Sequence, residues 1–130
     1  MLSGDPTYAI NFDRIQFDPD LKTYIIFEFL LCEEDQFVTP YTSHPRRYWN
    51  KNKQKFISLW RITQKLNAVL SLVNYAKKGT EFENEVLAIK VLELDNDGIR
   101  KEQVKKFTRE EFKEWFRKKN RKCSKNNLFI

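Results

Sequence analysis

The sequence predicts a single α/β domain, with α+β as the alternative class, around a mixed central sheet of about four strands. Three strongly apolar runs, at residues 23–32, 68–75 and 85–94, are typical of buried strands. A helical pattern separates the first run from the second, and a helix start follows the third. The resulting order is strand–strand–helix–strand–strand–helix, in which a helix crosses over between buried strands.

The first half of this order is a pair of strands joined by a turn. Residues 8–17 alternate apolar and polar side chains, which predicts a strand that is interrupted near Asp13. Asp18-Pro19-Asp20 predicts a short turn. Residues 23–32 are almost wholly apolar apart from Glu28, which predicts a central strand buried on both faces.

The crossover helix is predicted over residues 46–66. Phe56, Leu59 and Trp60 recur near helical spacing, with basic side chains around them. The apolar runs at residues 68–75 and 85–94 then predict two further strands, and Asp95-Asn96-Asp97-Gly98 predicts a turn between the last strand and a helix.

The clearest helix is predicted to run from Thr108 to about Lys122. At its start, Thr108 and Glu111 are predicted to form a capping box. Phe107 and Phe112 are predicted to form a hydrophobic staple across it. Trp115 and Phe116 continue an apolar stripe. The last turn is rich in Lys and Arg, which the helix dipole favours. We therefore expect one domain over residues 1–125, followed by a tail at 126–130.

The positive charge of the chain is concentrated near its C-terminus. The 130 residues carry a net charge of +6. Residues 100–125 hold 12 basic and 4 acidic side chains, a net of +8, which leaves about −2 for the rest. Such asymmetry suits a surface for phosphate backbones or another polyanion. A solvated amphipathic helix with a frayed basic tail explains it equally well.

Several function classes are excluded or disfavoured by what the sequence lacks. No apolar run approaches the roughly 20 residues of a membrane span, and the N-terminus does not have the pattern of a secretory signal. Cys32 and Cys123 lie far apart, which favours reduced thiols and a cytoplasmic location. The single His44 and the absence of Cys/His spacing exclude most zinc sites. No membrane partner is expected.

Asp13 and Glu28 are the candidate metal ligands. A carboxylate within an apolar strand is costly to bury unless it is paired or binds a metal. Two strands joined by a turn bring Asp13 and Glu28 to the same end of a sheet, which is the arrangement that a Mg²⁺ site for phosphodiester hydrolysis needs. The alternative is that Asp13 caps a turn while Glu28 pairs with a nearby Lys or Arg.

This segment resembles the PD-(D/E)xK nucleases, the restriction-endonuclease-like superfamily. The resemblance consists of Asp13, the strand and turn that follow it, and Glu28-Phe29-Leu30, where the family has Glu-x-Lys. The family's Lys is replaced by Leu30, which can neither orient water nor stabilise phosphate charge. The resemblance covers roughly residues 8–94 and lacks the family's first helix. It therefore implies a fragment of a longer protein, a homodimer, or a partner chain that supplies that helix.

The resemblance implies a metal-dependent nuclease with Mg²⁺, or Mn²⁺, held by Asp13 and Glu28, and with nucleic acid, DNA favoured, as substrate. Lys53 or Lys55 of the following helix would then replace the missing catalytic Lys. The alternative for these lysines is a solvated or DNA-facing helix edge. The alternative function is a catalytically degenerate domain that binds nucleic acid or a protein partner, which Leu30 favours.

Two further basic segments are candidate nucleic-acid contacts. Residues 39–49 combine hydroxyls, arginines and aromatic rings, which suit phosphate contacts and base stacking. The other segment is the basic C-terminal helix. The residues expected to contact nucleic acid are Arg46, Arg47, Tyr48, Lys51, Arg117, Lys118 and Arg121. Alternatively, the aromatic rings pack under the loop and the arginines pair with the acidic residues at 33–35. His44 is a candidate acid or base near a phosphate.

Overall fold

The computed structural model describes residues 13–33 and 37–125, with the side chains of residues 120–125 outside the description. Five strands and two helices make up this part of the chain: β1 (Arg14–Asp18), β2 (Thr23–Cys32), α1 (Trp49–Lys65), β3 (Val69–Ala76), β4 (Glu85–Asp95), β5 (Gly98–Thr108) and α2 (Arg109–Lys125). A single 3-10 turn, Pro45–Tyr48, leads into α1. None of the described helices is long and apolar enough to cross a membrane.

The described strands form one mixed sheet in the order β1-β2-β3-β4-β5. Strands β2 and β3 are parallel, and the other neighbouring pairs are antiparallel. Parallel neighbours need a long crossover connection, and α1 supplies it. The predicted α/β class and the crossover helix are therefore confirmed.

Helix α1 covers one face of the sheet. Successive side chains of a strand point to opposite faces. Ile26 of β2 is fully buried against Phe56 and Leu59 of α1, together with Leu70 and Leu72 of β3. The even-numbered positions of β2 therefore face α1, and this set includes Glu28 and Leu30.

Helix α2 covers the opposite face. Phe27 of β2 and Phe107 of β5 pack with Trp115 and Phe116 of the helix. The predicted capping box is present, because the N–H of Glu111 donates to the Thr108 hydroxyl at 3.1 Å and the Thr108 N–H donates to the Glu111 carboxylate at 2.8 Å. The predicted staple is also present, with the rings of Phe107 and Phe112 5.5 Å apart. The domain thus has a helix–sheet–helix arrangement.

The prediction of about four strands was wrong, because β5 is a fifth strand. Asp95-Asn96-Asp97-Gly98 is a hairpin turn between β4 and β5, where we had expected a turn into a helix. Most side chains of β5 are exposed, and many are charged. An exposed edge strand needs no apolar face, so its sequence lacks the alternation that identified the other strands.

Other boundaries differ by a few residues. The crossover helix was predicted from residue 46, but the first residues form the 3-10 turn and α1 begins at Trp49. Of the strand predicted over residues 8–17, the structure describes only the part from β1 onward, and residues 1–12 and the tail at 126–130 lie outside the description.

Candidate functional site

Asp13 and Glu28 lie side by side on neighbouring strands. Arg14 of β1 is paired with Phe27 of β2, so Asp13, one residue earlier, is opposite Glu28. The Asp13 N–H donates to the Phe27 carbonyl at 3.2 Å. The Phe29 N–H donates to Oδ2 of Asp13 at 2.7 Å. These two bonds hold the Asp13 carboxylate at the sheet edge next to Glu28.

Glu28 is a buried acid in an apolar layer. Its residue exposure is 4%, and its side chain lies on the α1 face of the sheet. Oε1 forms an ion pair with Nζ of Lys55. Oε2 is buried and has no hydrogen-bond partner among the described residues. An unpartnered buried carboxylate oxygen is costly, and in native proteins it calls for an explanation such as an ion or water.

The environment of Glu28 raises its pKa. Burial is the largest cause, and the negative charge of Asp13 adds to it. The ion pair with Lys55 and, to a smaller extent, the backbone N–H of Asp13 act in the opposite direction and only partly offset the rise. Burial and the like charge of Asp13 thus disfavour an ionised Glu28, and a bound cation would favour it.

Lys55 reaches Glu28 because it is on the flank of α1 next to the buried Phe56. Its side chain is 45% exposed, so its ammonium group contacts both the carboxylate and solvent. Lys53 was the other predicted substitute, but two residues correspond to about 200° around a helix, so it projects away from Lys55. The described contacts with Glu28 include Lys55 and not Lys53. Leu30, two residues after Glu28, packs into the apolar layer against α1.

The segment at residues 39–49 is held in place by polar contacts. Nδ1 of His44 accepts from the Arg46 N–H at 3.0 Å, and Nε2 of His44 lies 2.6 Å from the Glu102 carboxylate of β5. Buried Asn74 donates from its amide to the carbonyls of Pro40 and Ser43. Both ring nitrogens of His44 are therefore engaged in contacts within the protein.

The predicted nucleic-acid contacts of this segment divide into exposed and packed side chains. Arg46 and Arg47 are exposed, although Arg46 lies 3.3 Å from Glu102. Tyr48 is half-buried with its ring 6.4 Å from that of Phe56, and burial, as the largest cause, raises the pKa of its phenol. Trp49 is buried and stacks on Phe56. The arginines are available to a phosphate backbone, while the aromatic rings mostly serve the core.

The other predicted contacts lie on the two helices. Lys51 at the start of α1 is exposed, as are Arg117 and Lys118 on α2. Arg117 is 3.5 Å from Glu114, one turn earlier on the same helix. Arg121 belongs to α2, but its side chain is outside the description. Arg14, the residue after Asp13, contacts this helix: its guanidinium lies 4.6 Å from the centre of the Phe116 ring.

Sequence reasoning missed a cavity of about 430 Å³ beside Asp13, on the α2 side of the sheet. Its walls include Asp13, Phe29, Tyr75, Arg109, Phe112 and Lys113. The missed residues belong to β3 and to the first turns of α2, far from Asp13 in sequence. The only feature of the sequence that pointed toward this cavity was the capping box, which marks where α2 begins.

Among the side chains that the structure describes, those of residues 13–33 and 37–119, no group of three or more His, Cys, Asp or Glu is arranged to hold a metal ion. The candidate site therefore offers two carboxylates. No protein-family model, curated protein or solved structure matches the chain.

Proposed function

We propose that this chain hydrolyses phosphodiester bonds in nucleic acid, with DNA as the favoured substrate, at a site formed by Asp13, Glu28 and Lys55. One observation carries the proposal: buried Glu28, which lies opposite Asp13 on the neighbouring strand, has an unpartnered Oε2 and an ion pair to Lys55. In this proposal, the sheet from β1 to β3 and the crossover α1 represent a restriction-endonuclease-like core.

The donor set fits Mg²⁺ or Mn²⁺. These ions prefer oxygen ligands, and Mg²⁺ commonly binds one or two carboxylates while it keeps several waters and contacts substrate phosphate. Asp13 and Glu28 would be the protein ligands. The cation would supply charge neutralisation and Lewis-acid assistance to the scissile phosphate. The raised pKa of Glu28, which arises first from burial, reflects the cost of an ionised carboxylate there without such a cation.

The protein's own groups have distinct roles in this proposal. Asp13 is fixed by the Phe29 N–H, so its carboxylate needs little reorganisation when substrate arrives. Lys55 is anchored by Glu28 and half exposed, which suits an ammonium that orients the attacking water and stabilises charge on the phosphate. Water would attack the phosphorus and lose a proton to solvent, while the bond to the leaving sugar oxygen breaks and that oxygen takes up a proton from solvent. Arg46, Arg47, Lys51, Arg117 and Lys118 would bind the backbone, together with Arg121 in the same basic helix.

A second function is favoured by one specific observation: Leu30 fills the family's Lys position with an apolar side chain that belongs to the core. In that case the pair of Lys55 with Glu28 is a structural ion pair, and the fold is a binding module for nucleic acid or a protein partner. Such a module would show salt-dependent affinity without a metal requirement. For either function we propose the cytoplasm as the compartment, because Cys32 and Cys123 lie far apart in the sequence, which favours reduced thiols.

The test is incubation of the protein with supercoiled and linear DNA in the presence of Mg²⁺ or Mn²⁺. We expect metal-dependent nicking that disappears in Asp13→Asn and Glu28→Gln, while DNA binding persists in both variants. Glu81→Gln, in an exposed loop, is the matched control for Glu28→Gln. A mobility shift that fades with salt, without nicking by the unsubstituted protein, would instead support the binding module.

A further inference from the structure

The cavity beside Asp13 adjoins the candidate site from the other face of the sheet. The Asp13 carboxylate lies at the edge of the sheet, where it accepts from the Phe29 N–H and also lines the cavity. Glu28 faces α1, whereas Phe29, the next residue of β2, faces α2. Asp13 is therefore the residue shared by the carboxylate pair and the cavity.

Three aromatic side chains line the cavity. Phe29 and Tyr75 stand edge to face with their ring centres 6.4 Å apart, and Phe112 of α2 forms part of the opposite wall. Aromatic side chains are the usual platforms for unstacked bases, because every base has a flat π-face. The volume of about 430 Å³ falls within the range of small-molecule sites.

Two basic side chains, Arg109 and Lys113, line the cavity and differ in whether they can bind a ligand. The guanidinium of Arg109 donates to the carbonyls of Glu83 at 2.8 Å and Ala76 at 2.7 Å, so it is committed to the fold. Lys113 is 3.6 Å from the exposed carboxylate of Glu110, a contact that contributes little in water. The ammonium of Lys113 is therefore free to exchange this contact for a phosphate.

We propose that this cavity is a subsite for an unpaired base of the substrate, so that the site acts on single-stranded or locally unpaired nucleic acid in preference to intact duplex. The inference rests on the proposed function and specifies its substrate class. A base would stack on the ring of Tyr75, with the perpendicular ring of Phe29 against its edge. Lys113 would contact a phosphate of the same strand, and the strand would continue past Asp13 to the carboxylate pair. A paired base cannot enter, because its π-faces are covered by its neighbours in the duplex.

The test is fluorescence anisotropy of the full chain with a labelled oligodeoxynucleotide, either single-stranded or annealed to its complement, in EDTA so that no hydrolysis occurs. We expect tighter binding of the single strand. Tyr75→Leu should weaken that binding about tenfold, as expected for loss of one stacking ring, and should leave duplex binding unchanged. Tyr75→Phe keeps the ring and should retain the affinity. Tyr24→Leu, at an exposed tyrosine elsewhere on β2, is the remote control.

Circular dichroism melts of the same variants show whether each one folds, and Lys113→Gln provides a second variant outside the core. Equal affinity of Tyr75→Leu and the unsubstituted protein for the single strand would overturn the inference. So would duplex binding that is as tight as single-strand binding.

A parallel nicking assay separates the two proposals. Nicking that depends on Glu28, without any ring-dependent binding, would leave the proposed function standing and remove the subsite. Ring-dependent binding without nicking would support the subsite in a binding module.

Discussion

The ammonium of Lys119 in α2 lies 2.9 Å from the carboxylate of Asp18, which is 1% exposed, and 3.2 Å from that of Asp20. Asp18 also accepts the N–H groups of Asp20 and Leu21 in the turn between β1 and β2. The ion pair of Lys119 with Asp18 holds α2 against β1, the strand that follows Asp13. Burial alone would lower the pKa of Lys119, but the bonds to both carboxylates outweigh it and raise that pKa.

Lys119→Met should destabilise the fold by about 3 kcal/mol, since the buried Asp18 would lose its cationic partner. Urea unfolding measures the free energy of unfolding. Lys118→Met, at the exposed neighbouring position, should change it by less than about 0.5 kcal/mol. Equal effects of the two substitutions would show that the contact with Asp18 does not stabilise the fold.

Glu28 should make the stability of the protein fall as pH rises. Its pKa in the folded protein is above the unfolded value of about 4.3. Between these two pKa values, the folded state keeps a proton on Glu28 that the unfolded state loses. The stability that the protonated Glu28 contributes is therefore fully present below the unfolded pKa and is lost as pH rises through the folded pKa. Glu28→Gln should remove this loss. The measurement is the free energy of unfolding against pH for both proteins, with Glu81→Gln as the control, and identical pH profiles would contradict the prediction.

Mg²⁺ should stabilise the unsubstituted protein against heat when Glu28 is ionised. A ligand that binds the folded state raises Tm with concentration. We expect no such rise in Glu28→Gln, and a smaller one in Asp13→Asn. The measurement is a thermal melt over a series of Mg²⁺ concentrations at constant ionic strength. A Tm that responds equally in all three proteins would place the bound ion elsewhere.

Lys55→Met should lower the rate of cleavage about a hundredfold while DNA affinity changes little, because the ammonium group acts on charge that develops in the transition state. Single-turnover kinetics separate cleavage from binding. Lys65→Met, in the last turn of α1, removes the same charge at an exposed position and should cleave normally. If both variants cleave at the unsubstituted rate, Lys55 has only a structural role.

His44→Ala should affect stability and not cleavage. The substitution removes the bond to Glu102 and the acceptor for the Arg46 N–H, and it should cost about 2 kcal/mol. Urea unfolding and the nicking assay test the two parts separately. Glu102→Gln keeps a neutral partner for the ring and should cost less. If the nicking activity of His44→Ala falls by more than its fraction of folded protein does, His44 acts in catalysis as well as in stability.

The local sequence predicted several contacts correctly because they involve few residues close together in the chain. The capping box of Thr108 and Glu111 and the pairing of Phe107 with Phe112 span only a few positions and depend on local geometry. The proximity of Asp13 and Glu28 also followed from one hairpin, whose register is set by a short turn.

Strand β5 shows where sequence pattern fails. Its side chains are mostly exposed and its pairing with β4 satisfies backbone groups, so its sequence carries little apolar signal. The sequence left Lys53 and Lys55 as equal candidates for another reason. Both have the right chemistry, and only the rotation of α1 on the sheet selects the one that reaches Glu28.

The sequence by itself determined the α/β class, the crossover helix and the pair of carboxylates, because apolar periodicity and short turns are encoded locally. Only the tertiary structure decided that Lys55 meets Glu28, that Lys119 meets Asp18, and that a cavity lies beside Asp13. Each of these depends on how a helix is seated on the sheet. That seating is fixed by the packing of many apolar side chains across both faces, which no local pattern specifies.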